Sequence, residues 1–263
     1  MTRPIRFAHL SDTHIGPQRE FELYGAATAP CLERLVEHLN ACHEEIDFVV
    51  HTGDVVSDPD AASFRLAGSI LSDLRKPCYL VNGNHDSADG LRGIGAGAHG
   101  QPVIHGGTKL DYHFSVGAER FLVLDARGPD EIDPAGELTE EQLRGVERWL
   151  SEHAERVTIF VHFPALPLDC AWLDRMMLIG NGEALHRVLV PHASRVRGVL
   201  SGHVHRGMQS WQDGILYASA PSTFCQFRNW PRDETVHMAA SDHVFYNLVT
   251  LQPHGTVIRQ LWC

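Results

Sequence analysis

Residues 46–54, Ile-Asp-Phe-Val-Val-His-Thr-Gly-Asp, carry the pattern on which the fold turns. Ile46 to Val50 is an apolar, β-branched run of the kind found in buried strands. It stops abruptly at Thr52-Gly53-Asp54, a turn signal that ends in a carboxylate. The same arrangement recurs on either side. Ile5 to Leu10 leads into Ser11-Asp12-Thr13-His14, and Cys78 to Val81 leads into Asn82-Gly83-Asn84-His85-Asp86. Helical patterns separate the runs. Pro30 opens one, with Leu32, Leu35, Val36 and Leu39 at helical spacing; a second covers Ala61 to Leu74 and is closed by Pro77. Alternation of strand and helix predicts a sheet of parallel strands joined by helical crossovers.

Further along, the Gly-rich residues 87–108 predict an irregular loop. Strands are predicted at Leu110 to Val116 and Arg120 to Leu124. Thr139 with Gln142 reads as a capping box for a helix to His153. A strand follows at Val157 to Val161, an irregular stretch at 163–182, and a helix at Glu183 to Leu189 that ends before Pro191. The remainder reads as strands at Val196 to Leu200, Ile215 to Ala218, Val244 to Leu251 and Thr256 to Leu261, with a long loop at 221–243. The strand-rich second half predicts a second, mixed sheet. The expectation is one domain over residues 1–263, a layered α/β sandwich, with the 163–182 and 221–243 loops as substrate-pocket walls or an interface.

Composition removes several functions. The 22 basic residues stand against 33 acidic ones, a net charge of −11, and only Lys76 and Lys109 are lysines. No basic run is available to grip a long nucleic acid or a membrane surface. No stretch approaches the ~20 apolar residues needed to span a bilayer. The N-terminus has no apolar signal-peptide core. Cys31, Cys42, Cys78, Cys170, Cys225 and Cys263 are widely spaced, with no Cys-x-x-Cys pair. Six reduced thiols in a cytoplasmic protein are therefore expected. The unusual feature is a histidine count of 18.

Polar clusters sit just after predicted strands: Asp12-x-His14, Gly53-Asp54, Gly83-Asn84-His85-Asp86, His162, and Gly202-His203-Val204-His205. Open α/β sheets place ligands beyond the carboxyl ends of their strands, so parallel strands would bring these clusters to one edge. Carboxylate, amide oxygen and imidazole suit borderline divalent metals such as Mn, Fe, Co or Zn. Asp12, His14, Asp54, Asn84, His162, His203 and His205 are too many ligands for one tetrahedral site. They suit two metals sharing a carboxylate, a clamp for phosphoryl displacement. The glycines at 53, 83 and 202 let the backbone turn close to the ions.

The ordered set resembles the calcineurin-like metallophosphoesterase superfamily over residues 7–206. A closer likeness, to bacterial class III cyclic-AMP phosphodiesterases, rests on Gly136-Glu137-Leu138-Thr139, Cys170-Ala171-Trp172-Leu173-Asp174, Pro221-Ser222-Thr223 and Gln226-Phe227. The resemblance implies a four-layer α/β/β/α sandwich with two mixed sheets. It implies one metal on Asp12, His14 and His205, the other on Asn84, His162 and His203, and Asp54 as the bridge. His85 is implied to face the substrate phosphate and leaving group rather than a metal, with Asn84 also near the substrate. Ser57 stands where purple acid phosphatases carry a tyrosine three residues after the bridging Asp, which argues against a tyrosinate-bound ferric site.

The expected activity is hydrolysis of a small soluble phosphodiester, 3′,5′-cyclic AMP foremost. Alternatives are a 2′,3′-cyclic nucleotide or a glycerophosphodiester, and more distantly a nuclease or a non-catalytic scaffold. Specificity is expected from aromatic residues in 163–175 and 221–230: Phe163, Trp172, Phe224, Phe227 and Trp230. Asp86 is a candidate for orienting His85, and Arg206 for reaching a phosphate or standing solvated. His9 and His51 are expected to pack in the sheet, and His237, His243 and His254 to lie on the surface. The C-terminal strands and the 221–243 loop are candidates for a homodimer interface.

Overall fold

Strand pairing begins with the two runs that flank the first predicted crossover. In the computed structural model, which describes residues 3–103 and 107–263, Ile5–Leu10 and Phe48–His51 run parallel with Phe7 opposite Phe48. Cys78–Leu80 joins Phe48–His51 in the same sense. Residues 104–106 of the loop predicted at 87–108, and Met1 and Thr2, lie outside the described residues. Helices Thr28–Ala41 and Ala61–Ser72 supply the crossovers. The first starts before Pro30 rather than at it, which puts the proline in the first turn, where its missing N–H costs nothing.

The C-terminal strands Phe245–Gln252 and Gly255–Trp262 form a hairpin that adds antiparallel to Ile5–Leu10, making a five-stranded mixed sheet. They therefore belong to the first sheet and not, as the order along the chain suggested, to the second. The second sheet has seven strands, in the order Gln209–Gln212, Ile215–Ser219, Val196–Ser201, Arg156–Val161, Glu119–Leu124, Tyr112–Val116, Gln101–Pro102. Its four central strands are parallel neighbours and its margins antiparallel.

Alternation along the strands assigns the layers. Phe121 and Val123 pack in one core with Phe7 and Phe48, whereas Leu122 and Leu124 pack in another with Val146, Trp149 and Leu150 of the helix Glu140–Glu152 and Leu185 and Leu189 of the helix Gly182–Leu189. Phe121 thus faces the first sheet, with its ring centroid 5.9 Å from Phe7 and 4.9 Å from Phe48. This α/β arrangement of two mixed sheets is compatible with the expected order helix, sheet, sheet, helix. The predicted capping box is present: Thr139 Oγ1 accepts from Gln142 N at 3.1 Å and Gln142 Oε1 from Thr139 N at 2.9 Å.

Several short elements went unread. Helices Ala88–Gly93 and Ala171–Met176 lie in stretches read as loops, and Cys225–Phe227 pairs with Met238–Ala240 inside the long loop. Gln209–Gln212 is an edge strand with largely exposed side chains and no apolar alternation. All six cysteines are free. Among the described residues no helix is long and apolar enough to cross a membrane.

Phe121 is fully buried between the sheets, so Phe121→Ala opens a cavity there. The expected loss is about 3–5 kcal/mol, seen as a lower denaturation midpoint with an unchanged slope in urea.

Candidate metal centre

The ends of the first two parallel strands are zipped together by backbone. Asp12 N donates to Gly53 O and His14 N to Asp54 O, both at 3.0 Å. Each strand then turns sharply. Asp12, His14, Asp54, His203 and His205 all adopt left-handed backbone, with φ between 45° and 68°. Non-glycine residues take this conformation at a cost of about 1–3 kcal/mol each, and such strain collects at functional sites. Two glycines permit the approach. Gly53 has φ +98°, and a Cβ there would lie 2.4 Å from His162 Nδ1; one on Gly83 would lie 2.3 Å from Asp54 N.

All seven side chains predicted as ligands meet at this edge. On one side, His14 Nε2 lies 3.1 Å from His205 Nε2, and His205 Nε2 lies 3.6 Å from Asp12 Oδ1. On the other, His162 Nε2 lies 3.0 Å from His203 Nδ1 and 3.2 Å from Asn84 Oδ1. One atom faces both groups: Asp54 Oδ2 is 3.6 Å from His14 Nε2 and 3.3 Å from His162 Nε2. Ligands ~2.0–2.1 Å from a metal at right angles are about 3.0 Å apart, so this spacing fits two coordination shells that share an oxygen.

Supporting contacts fix the rings. His162 Nδ1 donates to Thr52 O at 2.7 Å, which aims Nε2 inward. His205 Nδ1 meets Cys225 Sγ at 3.1 Å, and its ring stacks on Phe227. The Asp12 carboxylate accepts the backbone N–H of His203 at 3.0 Å.

Charge in this pocket also calls for cations. Burial pushes His14 down to about 4 and His203 and His205 well below the usual imidazole range, leaving lone pairs available to a metal. Burial pushes Asp12 up to about 7. Burial also opposes ionisation of Asp54, but His162 and His14 outweigh it and hold the carboxylate well below its ordinary value. His162, buried too, is raised to about 9 chiefly by Asp54. Among the described residues no Lys or Arg pairs with Asp12 or Asp54. The donors, their spacing and their charge therefore fit two divalent ions.

His85 sits at the rim of this group. Its backbone N–H donates to Asp54 Oδ1 at 3.0 Å, and its Nδ1 donates to Ser57 O at 2.7 Å, which leaves Nε2 for the cleft. Burial lowers its basicity, but Asp54 and the Ser57 carbonyl raise it further, for a net upward shift. A ring atom of His85 lies within 4.8 Å of His14 and Asp54, close enough for a ligand role as well. Asp86 does not orient this ring. It accepts from the backbone N–H groups of Val55, Val56 and Gly83 and so ties the Asp54 and Asn84 loops together. His9 and His51 pack as expected, each bonded at 2.9 Å to a loop threonine, Thr52 and Thr13 respectively.

A cleft of about 480 Å³ opens over His14, Asp54, Asn84, His85, His203 and His205. Of the aromatic residues predicted for its wall, Trp172 and Phe227 line it. Phe163 and Phe224 are wholly buried as core, and Trp230 faces a different pocket. Arg175, Met176, Met177 and residues 234–236, inside the two loops expected as walls, also line the cleft; sequence reading missed Tyr24 and Pro134. Tyr24-Gly25 was a readable signal: both residues have positive φ, at the tip of the hairpin joining Glu22–Leu23 to Ala26–Ala27.

The family model of the calcineurin-like phosphoesterases matches residues 5–207, and the chain belongs to this family. Among its relatives is the 3′,5′-cyclic adenosine monophosphate phosphodiesterase CpdA of Vibrio vulnificus, 29% identical over 258 residues, 98% of this chain and 89% of that one. The protein of the same name from Escherichia coli is 30% identical over 233 residues, 85% of this chain and 78% of that one. A dimetal phosphatase from Danio rerio has the same fold, with a TM-score of 0.69 at 21% identity, over 97% of this chain and 99% of that one.

Because Asp54 touches both donor groups, Asp54→Ala is expected to lower metal content well below two per chain, with activity near background. Elemental analysis of the purified variant checks this, and two retained metals with normal turnover would contradict it.

Proposed function

We propose that this chain is a two-metal phosphodiesterase that hydrolyses 3′,5′-cyclic AMP to 5′-AMP. The observation that carries the reading is Asp54 Oδ2 placed between two sets of nitrogen and oxygen donors. In this reading Asp12, His14 and His205 would hold one ion, Asn84, His162 and His203 the other, and Asp54 would serve both. With no thiolate among these donors, Mn, Fe, Zn or Co are the metals the set suits. Two ions held there would supply Lewis-acid charge for the phosphoryl oxygens and the attacking water, and would offset the repulsion of an anion by a protein of net charge −11.

The chain's own residues do the rest. His85, anchored through Nδ1 to the Ser57 carbonyl, offers Nε2 to the phosphate and carries a proton toward the departing sugar oxygen. Asn84 presents its amide at the same edge, so the phosphate is held between Asn84 and His85. Tyr24, Trp172 and Phe227 provide aromatic surface beside the phosphate position. Such faces stack on a nucleobase and have no use on a glycerol-sized group. The relatives named as 3′,5′-cyclic AMP phosphodiesterases, matched over most of their length, support the same substrate.

The deciding experiment compares kcat/KM on metal-loaded protein across 3′,5′-cyclic AMP, 2′,3′-cyclic AMP, glycerophosphodiesters and a nitrophenyl diester. The expected order puts 3′,5′-cyclic AMP first among the natural diesters. A value for 3′,5′-cyclic AMP more than about a hundredfold below that for 2′,3′-cyclic AMP, roughly 2.7 kcal/mol, would replace the assignment with the 2′,3′-cyclic one.

His85→Ala is expected to keep its metals and lose roughly 10²–10⁴-fold in turnover on the natural diester. The loss should shrink with a nitrophenolate leaving group, which needs no proton. Equal losses on both substrates would confine His85 to phosphate binding, and loss of metal would make it a ligand.

A further inference from the structure

Three residues that stood out in the sequence and found no place in the metal cleft meet elsewhere. Arg206 follows the last histidine of the centre, Trp230 was expected in the cleft wall, and His237 had no partner. All three line a separate pocket of about 640 Å³, together with Gln226, Arg228 and Asn229. Trp230 is 64% exposed, a large flat apolar surface left open to solvent. Among the described residues the Arg206 side chain makes no hydrogen bond or ion pair. Arg228 gives Nε and one terminal nitrogen to Asp233, at 3.1 and 3.2 Å, and among the described residues its other terminal nitrogen makes no hydrogen bond. In a chain with 22 basic residues against 33 acidic ones, this pocket gathers two arginines and a histidine around an exposed indole.

The pocket is also built on a braced loop. Arg228 N donates to His237 O at 2.8 Å, closing the loop between them, and Trp230 N donates to Asp233 Oδ2 at 3.0 Å. The loop is tied to the helix Ala171–Met176 by Trp172 N donating to Asp233 O at 3.2 Å. Its other side, residues 234–236, lines the metal cleft, and Phe227 lines both cavities. One short segment is thus the wall between two pockets.

We propose that this second pocket is a non-catalytic binding site for a mononucleotide, with the base stacked on Trp230 and the phosphate held by Arg206, Arg228 and His237. An aromatic face is sequence-tolerant toward bases, and guanidinium groups match phosphate geometry. The volume lies within the range of small-ligand pockets. The second pocket does not depend on which diester the metal cleft cleaves; only the expected occupancy of the cleft itself by 5′-AMP rests on the proposed function.

Calorimetric titration of the metal-loaded protein tests it, with 5′-AMP, adenosine and inorganic phosphate as probes. Wild type is expected to bind two equivalents of 5′-AMP, one in each pocket. Trp230→Ala and Arg206→Gln are each expected to bind one, or to weaken the second at least tenfold, with hydrolysis of a nitrophenyl diester within twofold of wild type. Adenosine, lacking the phosphate, should bind the second pocket at least tenfold more weakly than 5′-AMP. Equal stoichiometry and affinity in wild type and both variants would overturn the proposal. So would a Trp230→Ala variant that changes sedimentation from dimer to monomer while leaving nucleotide binding intact, since Trp230 would then belong to a contact between copies of the chain.

Discussion

Asp54 is a carboxylate sealed from water, and the architecture of the sheet edge follows from the need to neutralise it. Burying an unpaired charge costs far more than a single fold-stabilising contact returns. Here the charge is met by imidazoles from opposite sides, His14 and His162, and by the backbone N–H of His85. None of these is a permanent cation. Carboxylate, imidazole and amide oxygen gathered around one buried acid are the donor types that a borderline divalent ion takes. The left-handed turns at Asp12, His14, Asp54, His203 and His205 are the geometric cost of aiming so many donors at one volume.

The rest of the fold holds these turns in place. Parallel strands bring Asp12, Asp54 and Asn84 to one edge of the first sheet, and His162 and His203 to the matching edge of the second. The phenylalanine layer between the sheets, with Phe7, Phe48, Phe121 and Phe160, sets their spacing. Asp86 then fastens two of the loops through three backbone N–H groups. Packing far from the chemistry therefore fixes distances within it, and interiors at native density leave little slack.

Much of this was legible because strand ends announce themselves. Apolar runs that stop at Asp-x-His, Gly-Asp, Gly-Asn-His or Gly-His-x-His pointed to donors that the structure brings together. What stayed hidden was non-local or short. Nothing in Val244 to Leu261 says which sheet it joins, because an alternating strand satisfies either; the register beside Ile5–Leu10 is a tertiary choice. The six-residue helix Ala171–Met176 is too brief for a periodic signal, and its start is fastened by carbonyls from the distant 230–233 segment. Aromatic content alone misplaced three of the five residues expected in the cleft wall. Phe163 and Phe224 meet His203 and His14 edge-on from within the core, while Trp230 turns outward. Asp86 was read as a partner of its neighbour His85, whereas the ring is set by the carbonyl of Ser57, remote in sequence and invisible to a side-chain motif.

The central claim is that one buried carboxylate oxygen joins two metal shells. Crystals of the protein loaded with manganese, measured for anomalous scattering, address it without reference to substrate or turnover. The account predicts two anomalous peaks about 3.5–4 Å apart, with Asp54 Oδ2 within bonding distance of both. A single peak, or two peaks that share no Asp54 oxygen, would contradict it.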